Sequence, residues 1–156
     1  MDRLIDLITN PFLITGVASW LLAQVTKTII HAIINKKLVW ERLVGDGGMP
    51  SGHSATVSSL ATIAGLLRGF NSFEFAVATL LAIIVCHDAM GVRLETGKQA
   101  QIINEMKKAF EALVKEDLPE VKLKEFVGHT PIQVIAGVAL GICNALVMYF
   151  WVFPLF

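Results

Sequence analysis

Phe75-Ala76-Val77-Ala78-Thr79-Leu80-Leu81-Ala82-Ile83-Ile84-Val85-Cys86 runs for twelve residues without a charge and stops on His87-Asp88. A helix on the surface of a soluble domain keeps one polar face; this run has none. Extended over residues 73–92, it approaches the roughly 20 residues that cross a bilayer core. Working outward, three more apolar blocks have similar character, at about 11–34, 54–70 and 131–153. The block at 54–70 is short, so it begins in the headgroup region or stands partly inside a bundle. The expected fold is all-α, an integral membrane helical bundle of about four membrane segments in one domain, 1–156.

Composition agrees. Of 156 residues 54% are hydrophobic and 17% charged, with 13 Lys/Arg balancing 13 Asp/Glu, against about 25% charged in an average soluble domain. The mean hydropathy is +0.64. These values argue against a disordered chain, a basic nucleic-acid binder and a disulfide-stapled secreted domain. Cys86 and Cys143 both sit inside apolar blocks and read as reduced, small core hydrophobes. The first six residues carry two acids and one base, which does not suit a signal peptide.

The polar stretch lies at 93–128. Within it Ile102, Ile103, Met106, Phe110, Leu113 and Val114 recur at steps of three and four, and Lys98, Glu105, Lys107, Lys108, Glu111 and Lys115 fill the other faces. That pattern predicts an amphipathic helix on the membrane surface or capping the bundle, ended by Pro119. With four spans, one side of the membrane holds Arg3 and Arg68. The other side holds ten basic residues, among them Lys36, Lys37, Arg42, Arg93 and Lys98. The positive-inside rule places the long loops in the cytoplasm, most naturally across a bacterial plasma membrane.

The unusual polar residues fall at that same end. Gly47-Gly48-Met49-Pro50-Ser51-Gly52-His53-Ser54 enters the second segment, His87, Asp88 and Arg93 leave the third, and Gly128-His129-Thr130-Pro131 enters the fourth. A glycine-rich entry into a helix suits an anion, because free N–H groups and the positive end of the dipole point at it. The plainer alternative is a tight turn with a serine N-cap. Thr130, Pro131 and Gln133 read as a capping box, which leaves His129 unexplained. Gln24, Lys27, His31 and Asn35 share one helix face. Lys27 there either snorkels to the headgroups or faces a partner or aqueous cavity. Gly137 with Gly141, and Ala61 with Gly65, have the spacing of close helix–helix contacts.

Pro50-Ser51-Gly52-His53 resembles the second signature motif of the type 2 phosphatidic acid phosphatase superfamily, which also contains the vanadium-dependent haloperoxidases. Gly128-His129, followed by Gly137 and Gly141, looks like the tail of its third motif. With Asp88-Ala89-Met90-Gly91-Val92-Arg93 and Gly97-Lys98-Gln99-Ala100, residues 11–150 resemble the small divergent branch of that superfamily, found in bacteria and plastid-bearing organisms. The resemblance implies a hydrolase with no metal and no cofactor. His129 would attack phosphorus and His53 would protonate the leaving alkoxide. Ser51, Gly52, Lys27, Arg42, Arg93 and Lys98 would hold the phosphate oxygens. Histidine suits both roles, since it changes charge near neutral pH.

Three positions depart from the superfamily pattern. Gln133 stands where an Asp would orient the nucleophile, Leu123 stands where an Arg is expected, and the first motif is missing. Asp88 and Arg93 are the candidates to compensate. The expected function is hydrolysis of a membrane lipid phosphate monoester through a phospho-histidine. The expected partners are that lipid and the bilayer, with no nucleic acid, and a homo-oligomer is compatible. The alternatives are a non-catalytic binder of anionic lipid with a degenerate site, and a structural subunit docking through Gly137/Gly141 and the amphipathic helix.

Overall fold

The computed structural model describes residues 2–37, 47–114, 123 and 127–155. These are helical, with no strand among them. Short α1 (Asp2–Ile8) precedes α2 (Pro11–Asn35), then α3 (Gly52–Arg68), α4 (Phe73–Met90), α5 (Val92–Val114) and α6 (Pro131–Val147). The last helix runs on through a π turn at Met148–Val152 and a 3₁₀ turn at Phe153–Leu155.

Local chemistry explains the boundaries. Asn10 accepts the N–H groups of Phe12 (2.9 Å) and Leu13 (3.2 Å), and Pro11 opens α2 at a position that lacks an intrahelical acceptor anyway. Ser51 accepts Ser54 N–H at 3.3 Å and Ser72 accepts Phe75 N–H at 3.2 Å, starting α3 and α4. Gly91, at φ −98° and ψ −98°, breaks the helix between α4 and α5.

The bundle is built around α3, which packs against α2, α4 and α6. The helices long and apolar enough to cross a membrane are α2, the α4–α5 run and α6 with its π turn. The block expected at 54–70 forms α3, a 17-residue helix that is not among them and is enclosed by α2, α4 and α6. Leu80, Leu81, Ile83 and Ile84 of α4 are exposed, whereas Ser54, Ser58 and Ser59 of α3 are buried. Burying hydroxyls in an apolar bundle is tolerable only if they are bonded. Ser58 donates to Ser54 O (2.6 Å), Thr56 to Gly52 O (2.9 Å), Ser59 to Thr56 O (2.8 Å) and Thr62 to Ser58 O (2.8 Å).

Small side chains let α6 come close to α3. A Cβ at Gly137 would lie 2.5 Å from Ser51 O, and one at Gly141 would meet Ala55 O and Ser58 Oγ. The spacing seen in the sequence thus serves a contact inside the chain. On its other side α6 meets α2 through Asn144, whose amide donates to Ser19 Oγ at 2.7 Å and to Thr15 O at 3.4 Å.

The amphipathic helix is α5, with Gly97, Ala100 and Asn104 turned inward and Ile102, Met106, Phe110 and Leu113 exposed. Asn104 holds the main chain of Leu123 through two hydrogen bonds, donating to its O at 2.9 Å and accepting its N–H at 3.1 Å. Pro119, expected to end the helix, lies outside the described residues.

Candidate functional site

The site forms where the start of α3, the end of α4 and the start of α6 meet. Gly47 and Gly48, at φ 82° and 86°, lead into a cis Met49–Pro50 bond and Ser51. Ser51 N–H donates to Gln133 O at 3.0 Å, which ties the entrance of α3 to the first turn of α6. Gly52 lies beside the indole of Trp20, at a distance where an added Cβ would make ordinary contact with the ring. His53 then stands in the first turn of α3, exposed.

His129 comes from the other side. It is 2% exposed, and its N–H donates to Ala89 O of α4 at 3.0 Å. The Gly128 before it has φ 85° and lies against the Arg93–Leu94 backbone, 2.6 Å from Arg93 C for an added Cβ. The two imidazoles meet edge to face, with centroids 6.0 Å apart and planes at 88°. Residues 76 positions apart in sequence thus make a pair with one buried member and one open to solvent.

Around that pair the expected residues divide. Ser51 and Gly52 are at its base. Asp88 and Arg93 flank it through Ala89 and Gly128, and they bind each other: Arg93 Nε donates to Asp88 Oδ2 at 2.8 Å, with side chains 46% and 43% exposed. Lys98 pairs with Glu95 at 2.7 Å on the exposed part of α5. Lys27 is 5% exposed and lies along Gly48, 3.3 Å from its stem to an added Cβ. A cavity of about 220 Å³ opens there between Lys27, His31, Asn35 and Met49. So Lys27 faces a cavity beside the glycine loop. Arg42 lies outside the described residues.

Gln133 has a structural task. Its Oε1 accepts Thr130 N–H at 3.1 Å, the backward half of the capping box, while its carbonyl holds Ser51. Sequence reasoning found the cap but not the tie to Ser51, nor the carbonyl of Ala89 and the indole of Trp20 as supports. Backbone acceptors carry no residue signature. Gly128, directly before His129, was the one available signal of a close backbone approach.

Gly128→Ala follows as a sharp test of that approach. The positive φ costs about 1–2 kcal/mol for a residue with a Cβ, and the backbone of Leu94 blocks the added methyl. A lowered melting temperature in detergent, with loss of whatever activity depends on His129, is the expected result; an unchanged melt would show that the turn is not held as described.

A family model described as "Divergent PAP2 family" matches residues 8–144. The chain belongs to the divergent PAP2 family. Another similar protein is the uncharacterized membrane protein YuiD of Bacillus subtilis (strain 168), 40% identical over 155 residues that cover 94% of this chain and 98% of the relative. No solved structure matches. In this divergent PAP2 protein the family match spans all three parts of the site, from the glycine entrance to His129.

Proposed function

We propose that this membrane protein hydrolyses a lipid phosphate monoester without a metal ion, through a phospho-histidine on His129. The observation that carries the reading is the His53–His129 pair, 6.0 Å between centroids and unequal in exposure. A phosphate set beside the pair can be reached by both a nucleophile and an acid. An imidazole nitrogen of His129 attacks phosphorus, the P–N bond forms, and the P–O bond to the lipid breaks. His53 gives its proton to the departing alkoxide. His53 then takes a proton from water as the water attacks phosphorus, releasing phosphate and restoring His129.

The remaining residues support charge and position. The α3 entrance at Ser51 and Gly52 faces its dipole toward the phosphate. Arg93 is the nearest described guanidinium by connectivity, and Asp88 fixes its direction at the mouth; Asp88 is thus read as a positioning residue. Lys27, Lys98 and Arg42 are read as the outer cations that draw an anionic headgroup in. The Lys/Arg asymmetry favours a cytoplasmic site in a bacterial plasma membrane.

The test is phosphate release by the purified protein in detergent, with EDTA, from phosphatidate and from a polyprenyl phosphate. Release undiminished by the chelator supports the reading; no release from either lipid overturns it. One observation favours a second reading, a binder of anionic lipid with a degenerate site: the Gln133 amide is engaged in capping and offers no carboxylate to His129. That protein would bind the same lipids and release nothing.

A further inference from the structure

Ile102, Ile103, Met106, Phe110, Leu113 and Val114 of α5 are all exposed, Met106 to 66% and Leu113 to 82%. The face that carries them is turned away from the rest of the chain. Gly97, Ala100 and Asn104 form the buried side of α5, and there Asn104 is bound to the main chain of Leu123. At about 100° per residue, Met106 lies about 200° round the helix from Asn104, on the far side.

The place where α5 starts points to what covers that face. The uncharged run of α4 ends at His87 and Asp88, and Gly91 interrupts the helix one turn later. At 1.5 Å per residue, α5 therefore begins about 6 Å beyond the edge of the hydrocarbon layer. A helix lying on a bilayer sinks its apolar side about 5–10 Å into the boundary between headgroups and acyl chains, so α5 starts at the height such a helix occupies. Only Gly91 separates it from α4, a helix of membrane-crossing length with Leu80, Ile83 and Ile84 exposed. Charge does not point to a protein partner of opposite sign. Four basic side chains of α5 stand against three acidic ones, and two pairs bind each other, Lys98–Glu95 and Lys107–Glu111.

The same helix supports the chain that leads into His129. Its first turn takes Gly128 against the Arg93–Leu94 backbone, and Asn104, about three turns further on, takes Leu123. We propose that α5 lies in the headgroup–acyl boundary of the leaflet next to the histidine pair, with its apolar face in the lipid, and that this seat fixes the height of His129 against the headgroup plane. The link to His129 rests on the function proposed above; the seat itself does not need turnover.

The experiment is spin labelling of the full chain in phosphatidylcholine nanodiscs. Single cysteines, Met106→Cys, Phe110→Cys and Lys108→Cys, are placed in a Cys86→Ala, Cys143→Ala background. Collision of each nitroxide with oxygen, which concentrates in lipid, is compared with collision with a water-soluble nickel chelate. Oxygen should win at positions 106 and 110, and the chelate at Lys108, about 200° round the helix from Met106. Chelate winning at all three overturns the proposal. Exclusion of both reagents at 106 and 110 also overturns it, because protein, a second copy included, then covers the face. Met106→Glu combined with Phe110→Glu tests the link to His129. Both positions are exposed, so the melting temperature should hold. Release from phosphatidate in the disc should fall severalfold, while release from p-nitrophenyl phosphate, which no headgroup plane positions, should not. Equal loss on both substrates, or loss on neither, overturns the link. Labels that report lipid in a protein that releases no phosphate from any substrate would sink the phosphatase, and the link with it, and keep the seat.

Discussion

His129→Ala is expected to bring chelator-resistant phosphate release down to background, a loss on the order of 10⁴-fold or more, as for other enzymes whose nucleophile is removed. His53→Ala should behave differently. Loss of a general acid costs about 10²–10⁴-fold when the leaving group is a poor one such as a lipid alkoxide. With p-nitrophenyl phosphate, whose phenolate leaves without a proton, most of that loss should disappear. The contrast follows from the geometry: one ring is buried on a main chain that the Ala89 carbonyl fixes, while the other is open to solvent. Initial rates of phosphate release on both substrates, for both variants, decide it. A His129→Ala protein that still turns over, or a His53→Ala loss that is equal on both substrates, would refute the assignment of roles.

Gly141→Ala should be the most damaging single methyl in the bundle. Alanine normally improves a helix over glycine by about 1 kcal/mol, so propensity alone predicts a stabler protein. Contact predicts the opposite, since the methyl would meet the carbonyl of Ala55 and the hydroxyl of Ser58. Overpacking of this kind costs about 1–3 kcal/mol, a large share of the roughly 5–15 kcal/mol that holds a domain together. Because α6 begins two residues after His129, any retreat of α6 from α3 also separates the two histidines. A fall in melting temperature together with a fall in phosphate release is the expected pair of results. A raised melting temperature would mean that α3 and α6 are not seated on each other at this position.

The helical membrane architecture was legible because it is written in uninterrupted apolar runs such as 75–86, and the serine and Thr130 caps mark where helices begin. The meeting of His53 with His129 was also foreseeable, since topology alone brings the start of α3 and the start of α6 to one end. The enclosed place of α3 was only half visible. Its shortness hinted at a helix standing partly inside the bundle, but which helices surround it depends on contacts such as Gly137 on Ser51, far apart in sequence. The pairing of Asp88 with Arg93, where Asp88 had been expected to orient a histidine, turns on side-chain directions past the Gly91 break, which no spacing rule supplies.

The enclosure of α3 also bears on how the protein reaches the membrane. A helix of 17 residues that carries Ser54, Thr56, Ser58, Ser59 and Thr62 partitions poorly into lipid by itself. It becomes acceptable to the bilayer only when α2, α4 and α6 cover its hydroxyl face. Its place in the membrane is therefore a joint property of the bundle: α3 is tolerated only in the company of α2, α4 and α6. A substitution that loosens the α3–α6 seam would in this way act while the bundle assembles as well as in the finished fold.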